Sequence, residues 1–378
     1  RNAFPVVAIR RPETEEVTFD IRIAKKRSAK RLRLQTSHHS ARPNARVRAA
    51  ERAQTMTHAS SHDSLALRWC VNASTWNPDD EEFNFILSLL PLREREDVAR
   101  FKHFADRKRA VLSRLLVRCA ILRALASMDG TKNKLRMEDL HVKRTKGAKP
   151  FYATSLASAR APNFNFNVSH EGDYVVLASE THAVVGVDVA APGQVRAIGG
   201  NGRAERDVEA LLRTFTMTLT DREIAAIRAK TARDGERAGE DLFRRHWSLK
   251  EAMVKAIGVG LAMDLRRCEF TIDEATSTAR VTLDGKPRDD WSFHMHAFPP
   301  IVESSEIRGD THWITVSRGP IEDIVDAHGD FLDTAFSQRQ FDADAWRRVL
   351  DEPSPPFELI TVGDLVPIEH KNAFEEAG

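Results

Sequence analysis

The sequence predicts an α+β fold, and three segments carry that prediction. Residues 163–179 (NFNFNVSHEGDYVVLAS) alternate polar and apolar side chains, as a strand with one buried face does. Residues 184–192 (VVGVDVAAP) are dense in β-branched valines, which suit a pleated, buried surface. Residues 94–126 instead place Leu112, Leu115, Leu116, Cys119 and Leu122 on one helix face. Strand and helix patterns recur after residue 220, so both kinds of element occur twice over. At 378 residues the chain can bury a substantial core, and more than one domain is expected.

The first sixty residues stand apart. Between Asp20 and Glu51 there is no acid, while Arg22, Lys25, Lys26, Arg27, Arg46 and Arg48 are among the bases. Such a segment buries little apolar surface and is predicted to be a disordered basic extension. A plain solvated tail is the preferred reading. An organelle transit segment, a nucleic-acid tail without interleaved aromatics and an upstream extension stay open.

The next elements follow in order. Residues 65–71 (LALRWCV) read as the first strand, 94–126 as helix and 139–143 as a short strand. The loop RTKGAKP then sets Arg144, Lys146 and Lys149 around Gly147, just before Pro150. Three cations there suit an anion, although most basic loops are simply solvated. In the hairpin that follows, Ser169 and His170 open a turn around Gly172. They can donate hydrogen bonds to phosphate or serve as ordinary turn residues. Asp188 ends the valine strand as its only charge. A lone carboxylate there is costly unless paired or bound to metal, a cap or turn acid being the alternative.

Residues 192–206, rich in glycine and charge, read as a mobile loop. Thr220 and Glu223 have capping-box spacing and should start a helix. The segment 243–260 (FRRHWSLKEAMVKAIGVG) reads as a second helix, with Trp247, Ala252, Met253 and Ile257 apolar and Gly258 and Gly260 as its stop. Glu251 and Lys255 stand four apart and share a face. They can grip a metal and a phosphate together, or form a surface pair worth a few tenths of a kcal/mol. Strands are predicted near 268–272, 279–283, 291–296 and 313–317, with a tight turn at Asp284-Gly285. Residues 321–378 hold a helical stretch at 341–350 and a proline-rich break at 353–356; their role is unassigned.

Net charge is +2, from 57 basic and 55 acidic side chains, so bulk electrostatics names no partner and no nucleic-acid role is expected. Cys70, Cys119 and Cys268 show no disulfide or metal spacing, which favours a reducing compartment. No apolar run approaches the roughly 18 residues that span a membrane.

Taken in order, the basic loop (Gly147, Lys149, Pro150), NVSH at 167–170, Gly186-Val187-Asp188 and Trp247-Ser248-Leu249-Lys250-Glu251-Ala252-Met253-Val254-Lys255 resemble the 4'-phosphopantetheinyl transferases. The family pattern is G-[IV]-D followed by W-[SC]-x-K-E-[AS]-x-x-K. The likeness is to the large monomeric surfactin-synthetase-activator type, closest to the eukaryotic aminoadipate-semialdehyde dehydrogenase phosphopantetheinyl transferases. It spans residues 65–317. Each motif is short; four in order are specific.

The resemblance implies a pair of similar α/β halves with the site between them, divided at 61–182 and 183–320, with 1–60 and 321–378 as extensions. It implies transfer of the phosphopantetheine arm of coenzyme A to a serine of an apo carrier protein, with adenosine 3',5'-bisphosphate leaving. Asp188 and Glu251 are the implied Mg²⁺ carboxylates, and Glu251 is also the implied base. Lys255 is implied to hold a pyrophosphate oxygen, and Ser169 and His170 the nucleotide phosphates. Arg144, Lys146, Lys149 and Pro150 are implied to line the adenine and 3'-phosphate end.

The implied partners are carrier domains of fatty-acid synthase, polyketide or peptide synthetases, or aminoadipate reductase, the last placing the enzyme in lysine biosynthesis. A cytoplasmic monomer is expected, with organelle targeting by the basic segment as the alternative. A noncatalytic module binding coenzyme A or nucleotide is the rival reading, and the intact Asp188, Glu251 and Lys255 argue against it.

Three departures from the family pattern follow. Ala190 stands where many bacterial members carry a second acid, so water should fill that coordination place. The glycine of the basic loop is shifted by one against the commoner KGKP form. The N-terminal arginine used on coenzyme A is unplaced, with Arg93, Arg95, Arg107 and Lys108 nearby. The carrier is expected on residues 192–206 and the helix near Thr220, where Phe215, Met217, Arg222 and Arg228 are offered; Phe215 and Met217 are equally expected as core.

Overall fold

The computed structural model describes residues 65–378, apart from 130–134, 155–160, 162, 194–196, 199–203, 299–310, 327–328, 336–343, 345–346, 349, 351 and 378. The expectations for residues 1–60, and most of those for 192–206 and 341–350, lie outside the described residues.

The chain opens with strand β1 (Arg68–Asn72), then helices α1 (Asp80–Ser88), α2 (Leu92–Ala99) and α3 (Phe104–Asp129). Strands β2 (Val142–Arg144) and β3 (Pro150–Tyr152) flank the basic loop, and β4 (Asn165–Glu171) and β5 (Tyr174–Glu180) form the hairpin. Strand β6 (Val184–Ala190) follows, then β7 (Ala197–Ile198), β8 (Ala204–Glu205), α4 (Val208–Thr214), α5 (Asp221–Asp234) and α6 (Glu236–Ile257). The second sheet is completed by β9 (Cys268–Asp273), β10 (Thr278–Leu283), β11 (Lys286–Pro287), β12 (Ser292–Phe298) and β13 (His312–Gly319). The last elements are α7 (Asp330–Ala335), β14 (Glu358–Leu359) and α8 (Lys371–Ala377).

Two mixed layers result. A four-stranded sheet runs β14-β1-β5-β4, and a second runs β11-β10-β12-β13-β6 with β9 paired to β10. Each sheet carries one long helix. Leu112, Leu115 and Leu116 of α3 pack with Val175 and Leu177 of β5. Leu249, Met253 and Ile257 of α6 pack with Phe270, Phe293 and Met295 of the second sheet. Between the sheets, Val176 and Ala178 meet Val185, Val187, Val189, Ile314 and Val316. Strand β6 is therefore covered on both faces, which is why its sequence is a nearly continuous apolar run. Each fully buried Val, Leu or Ile there contributes about 1.5–3 kcal/mol.

Local signals account for the ends of these elements. Thr220 caps α5, and Glu223 reaches back to the Thr220 amide at 2.8 Å, completing the capping box. Asp284 and Gly285 both have positive φ, 51° and 76°, as the tight turn between β10 and β11 requires. Gly258 ends α6 in the left-handed conformation at φ 76°.

The structure corrects four expectations. The helix predicted over 94–126 is two helices, α2 and α3. The run Arg93-Glu94-Arg95-Glu96-Asp97 offers no apolar stripe, and an arginine fills the break after α2, Arg107 donating to Phe101 O at 2.8 Å, while Arg95 serves the preceding connection through Leu90 O at 2.5 Å. Ser169 and His170 lie within β4, and the turn is Gly172 and Asp173. Asp188 is inside β6 rather than at its end, paired opposite Thr315. The short strand expected at 139–143 lies at Val142–Arg144.

The C-terminal stretch is a strap across both layers. Val325 N donates to Ile257 O at the end of α6, and Phe331 packs edge-on against Phe151. Phe357 meets His296 and Phe298, β14 adds in parallel to β1, and Val362, Leu365 and Val366 join the core under α3. Phe374 of α8 lies 5.9 Å from Phe85.

Candidate functional site

The site is built where α6 lies flush on β6, and Gly186 makes that approach. A Cβ added at Gly186 would fall 2.0 Å from Ala252 O and 2.6 Å from Ala256 N. Small Ala252 and Ala256 complete the contact, and Ser317 Oγ ties off Ala252 O at 2.8 Å. On this face of the helix, Glu251 and Lys255 stay half-buried while Ala252, Met253, Val254 and Ala256 are sealed.

Lys255 Nζ then reaches Asp188 Oδ1 at 2.7 Å and Ser169 Oγ at 2.7 Å, and Ser169 Oγ donates to Asp188 Oδ1 at 3.2 Å. Three elements, β4, β6 and α6, meet in this triangle. Asp188 is only 5% exposed, and its second oxygen, Oδ2, is buried without a partner. An orphaned buried carboxylate oxygen costs at least about 1–3 kcal/mol, so it calls for a cation or donor.

The surrounding charges are strongly coupled. Burial first, and the Asp188 charge second, push the Glu251 carboxyl up to about 7, with Lys255 pulling the other way. Glu171, next to His170, is raised by burial and in part by Asp188. His170 is lowered to about 4 by burial and then by Lys255, Arg109 and Arg114, and its Nδ1 lies 3.1 Å from Ser113 Oγ. The imidazole is therefore neutral near pH 7, in a site that mixes carboxylates with several cations.

No group of three or more His, Cys, Asp and Glu among the described residues is placed to hold a metal alone. Asp188 with its orphan oxygen, beside Glu251, still fits Mg²⁺. That ion takes one or two carboxylates and fills its remaining places with waters and substrate phosphate oxygens. Ala190, which stands where many bacterial members were expected to carry a second acid, is buried.

The basic loop behaves differently. It closes on itself, with Thr145 N donating to Lys149 O at 2.9 Å and Ala148 N to Thr145 O at 2.9 Å. Gly147 lets it dock on the end of α6: an added Cβ would fall 2.0 Å from Gly258 O. Ala148 takes the left-handed φ of 69°, one place after the glycine. Arg144 and Lys146 are exposed, and Arg144 Nη1 donates to Ala148 O at 3.1 Å. Lys149 turns inward, 2% exposed, and donates to Val185 O, and Pro150 is buried behind it. The structure thus gathers Asp188, Glu251, Lys255, Ser169 and His170, and keeps the Lys149 ammonium apart from them.

Sequence reasoning missed Arg109, Arg114, Ser113 and Glu171. Arg109 donates to Gly172 O at 2.9 Å and pairs with Asp106. Of the residues considered nearby, Arg95 and Arg107 serve helix ends, Lys108 donates to Trp76 O in the loop before α1 at 2.5 Å, and Arg93 is exposed. The signal was present in α3: Arg109 and Ser113 are four apart, beside the apolar stripe.

A family model described as "4'-phosphopantetheinyl transferase, N-terminal" matches residues 74–182, and one described as "4'-phosphopantetheinyl transferase superfamily" matches 184–316. The rat "L-aminoadipate-semialdehyde dehydrogenase-phosphopantetheinyl transferase" (Rattus norvegicus) is 31% identical over 234 residues, 60% of this chain and 69% of the relative. This chain belongs to the 4'-phosphopantetheinyl transferase superfamily. The human relative of the same description (Homo sapiens) is 32% identical with the same coverage. A "Phosphopantetheinyl transferase" of Thraustochytrium is 31% identical over 251 residues, 64% of this chain and 80% of the relative. The candidate site draws on both matched regions, with Ser169 and His170 from the first and Asp188, Glu251 and Lys255 from the second. Among the described residues no helix is long and apolar enough to cross a membrane.

Proposed function

We propose that this chain transfers the 4'-phosphopantetheine arm of coenzyme A to a serine hydroxyl of an apo carrier protein and releases adenosine 3',5'-bisphosphate. The closed triangle of Asp188, Ser169 and Lys255, with Glu251 beside it, carries this reading. The serine oxygen forms a bond to the β-phosphorus, and the bond from that phosphorus to the bridging oxygen breaks. Bound between Asp188 and Glu251, Mg²⁺ would neutralise charge on the pyrophosphate oxygens.

Glu251 is the group that accepts the serine proton. A carboxyl raised towards neutral pH is suited to that task. Lys255 presents a point charge to a pyrophosphate oxygen, and Ser169 holds that ammonium in place. His170, neutral and flanked by Arg109 and Arg114, faces the nucleotide phosphates. Arg144 and Lys146 are the exposed cations of the basic loop that meet the 3'-phosphate. Lys149 and Pro150 shape the loop from beneath. The two halves divide near residue 183, and the described residues beyond 320 form the strap that ties them.

The carrier proposed is the acidic helix of an aminoadipate reductase, fatty-acid synthase, or polyketide or peptide synthetase domain, met by a cytoplasmic monomer. Met217 is 75% exposed and is the apolar contact on offer, whereas Phe215 is core, packed on Phe243 and Trp247. Arg222 pairs with Glu269, and Arg228 with Glu209, in water-exposed pairs that a partner carboxylate can exchange. Replacing both arginines with alanine should raise the KM for carrier, weaken its salt dependence and leave the KM for coenzyme A unchanged.

The deciding experiment incubates the protein with coenzyme A, Mg²⁺ and apo carriers and weighs the carrier. A mass gain of one phosphopantetheine arm is expected, and Glu251→Gln should lower the rate by about 10²-fold or more with the fold intact. Near-normal transfer by Glu251→Gln at saturating Mg²⁺ would remove its role. No gain on any carrier would remove the reaction.

A further inference from the structure

Strand β6, which carries Asp188, is the last strand of its sheet, and its outer edge is covered by side chains instead of a neighbouring backbone. Val185 N donates to Asn165 Oδ1 at 3.0 Å, Val187 N to Asn167 Oδ1 at 3.0 Å and Val189 N to Ser169 Oγ at 3.3 Å. Asn165 Nδ2 returns bonds to Asn163 O at 2.9 Å and Ala183 O at 2.6 Å. The three rungs climb both strands two residues at a time, and Asn165, Asn167 and Ser169 are 2%, 3% and 5% exposed. The polar alternation of this strand therefore faces another strand and not solvent.

The ladder ends in the site. Its third rung, Ser169, is also the hydroxyl that bonds Asp188 Oδ1 and receives Lys255 Nζ. Asp188 sits between the two held amides of Val187 and Val189. The pairing with β13 holds the other edge of the strand, and these two amides fix the edge that faces Ser169 and so help set where the carboxylate meets Lys255.

We propose that Asn167 is a positioning residue of this transferase. It fixes the strand on the N-terminal side of Asp188, as Ser169 does on the C-terminal side, and so places the carboxylate that would hold the metal. The inference rests on the reaction proposed above. Misplacing a reacting group by about 1 Å can cost on the order of 10²-fold in rate, so the ladder should be visible in kcat.

Two variants test it. Asn167→Ala removes the acceptor, and Asn167→Ser restores the kind of hydroxyl that the third rung uses. Asn167→Ala should lower kcat by about 10–100-fold. It should also raise the Mg²⁺ concentration for half-maximal rate and leave the KM for coenzyme A unchanged. Asn167→Ser should recover most of the loss. A readout without turnover is the rise in melting temperature caused by Mg²⁺ with adenosine 3',5'-bisphosphate, which should shrink in Asn167→Ala.

Wild-type kcat and Mg²⁺ dependence in Asn167→Ala, whatever its melting temperature, would overturn the proposal. So would Asn167→Ser performing no better than Asn167→Ala. Should Asn167→Ala fail to fold, Asn167→Gln displaces the acceptor by one methylene and must show the same split between kcat and KM; wild-type constants there overturn it equally. A wild-type protein that loads no carrier sinks the reaction itself. A wild-type protein that loads carriers, matched by Asn167→Ala, sinks only the ladder.

Discussion

Lys255 and Lys149 both belong to short cationic motifs, and both end against β6, three residues apart on that strand. Lys255 comes from the helix side, meets the Asp188 carboxylate at 2.7 Å and keeps 30% of its side chain exposed. Lys149 comes from the loop side, is sealed, donates to the Val185 carbonyl and lies 6.0 Å from the centre of the Phe331 ring. One ammonium faces a carboxylate and open space. The other faces a neutral acceptor and an aromatic ring, and burial brings it down to about 7. The role of a motif lysine is thus set by the acceptor its backbone aims at, and its charge alone does not make it a phosphate ligand.

The largest expected effect comes from exchanging each lysine for methionine. Lys255→Met should lower kcat by about 10²-fold or more, because in the proposed reaction the lost charge acts on the reacting phosphate. Lys149→Met should keep kcat within about threefold, because methionine fills the same apolar slot. Equal losses in the two variants, measured as carrier loading, would erase the distinction.

Next comes Gly147→Ala, which places a methyl 2.0 Å from the Gly258 carbonyl. Backbone must move there, so a loss of about 2–4 kcal/mol in a denaturant titration is expected. A loss under about 0.5 kcal/mol would mean that the loop does not rest on the end of α6.

Lys149 also makes a pH prediction. Its folded value of about 7 lies below the ordinary 10.5, so between them the unfolded chain holds a proton the folded chain has released. Stability should rise with pH across that window, and the full penalty applies below pH 7. Lys149→Met should flatten this rise, and a slope unchanged from wild type would assign it elsewhere.

The smallest effect is expected at Ala148, whose methyl sits at φ 69°. Relief of left-handed strain is worth about 1 kcal/mol, offset in part by the freedom glycine has when unfolded. Ala148→Gly should therefore raise stability slightly or leave it unchanged in the same titration. A clear loss would show that the methyl packs.

Much of this was legible in the chain. The valine run of β6, the capping box at Thr220, the Asp284-Gly285 turn and the Glu251–Lys255 face each follow from local spacing, and local spacing survives folding. Partners did not follow from it. The alternation of Asn163, Asn165 and Asn167 marked a polar face, yet only the packed sheets show that the face meets the amides of β6. The cations of the loop were visible, but whether Lys149 points out or in depends on Gly258, more than a hundred residues away. The break between α2 and α3 arises where charged residues leave no stripe to continue. Strand β14 has two residues in a proline-rich stretch, too short for any periodicity to announce it.

The strap also dictates an order of assembly. Arg68 of β1 bonds Ser354, 286 residues later, and β14 lies beside β1 just beyond. At about 5–20 residues per second, translation leaves β1 waiting roughly 15–60 s for this edge partner. Throughout that time the first sheet is open on the β1 side, and the core beneath α3 lacks Val362, Leu365 and Val366. The edge of the first sheet is therefore filled only after a segment almost three hundred residues downstream has been made, so that sheet cannot close as soon as its own hairpin is complete.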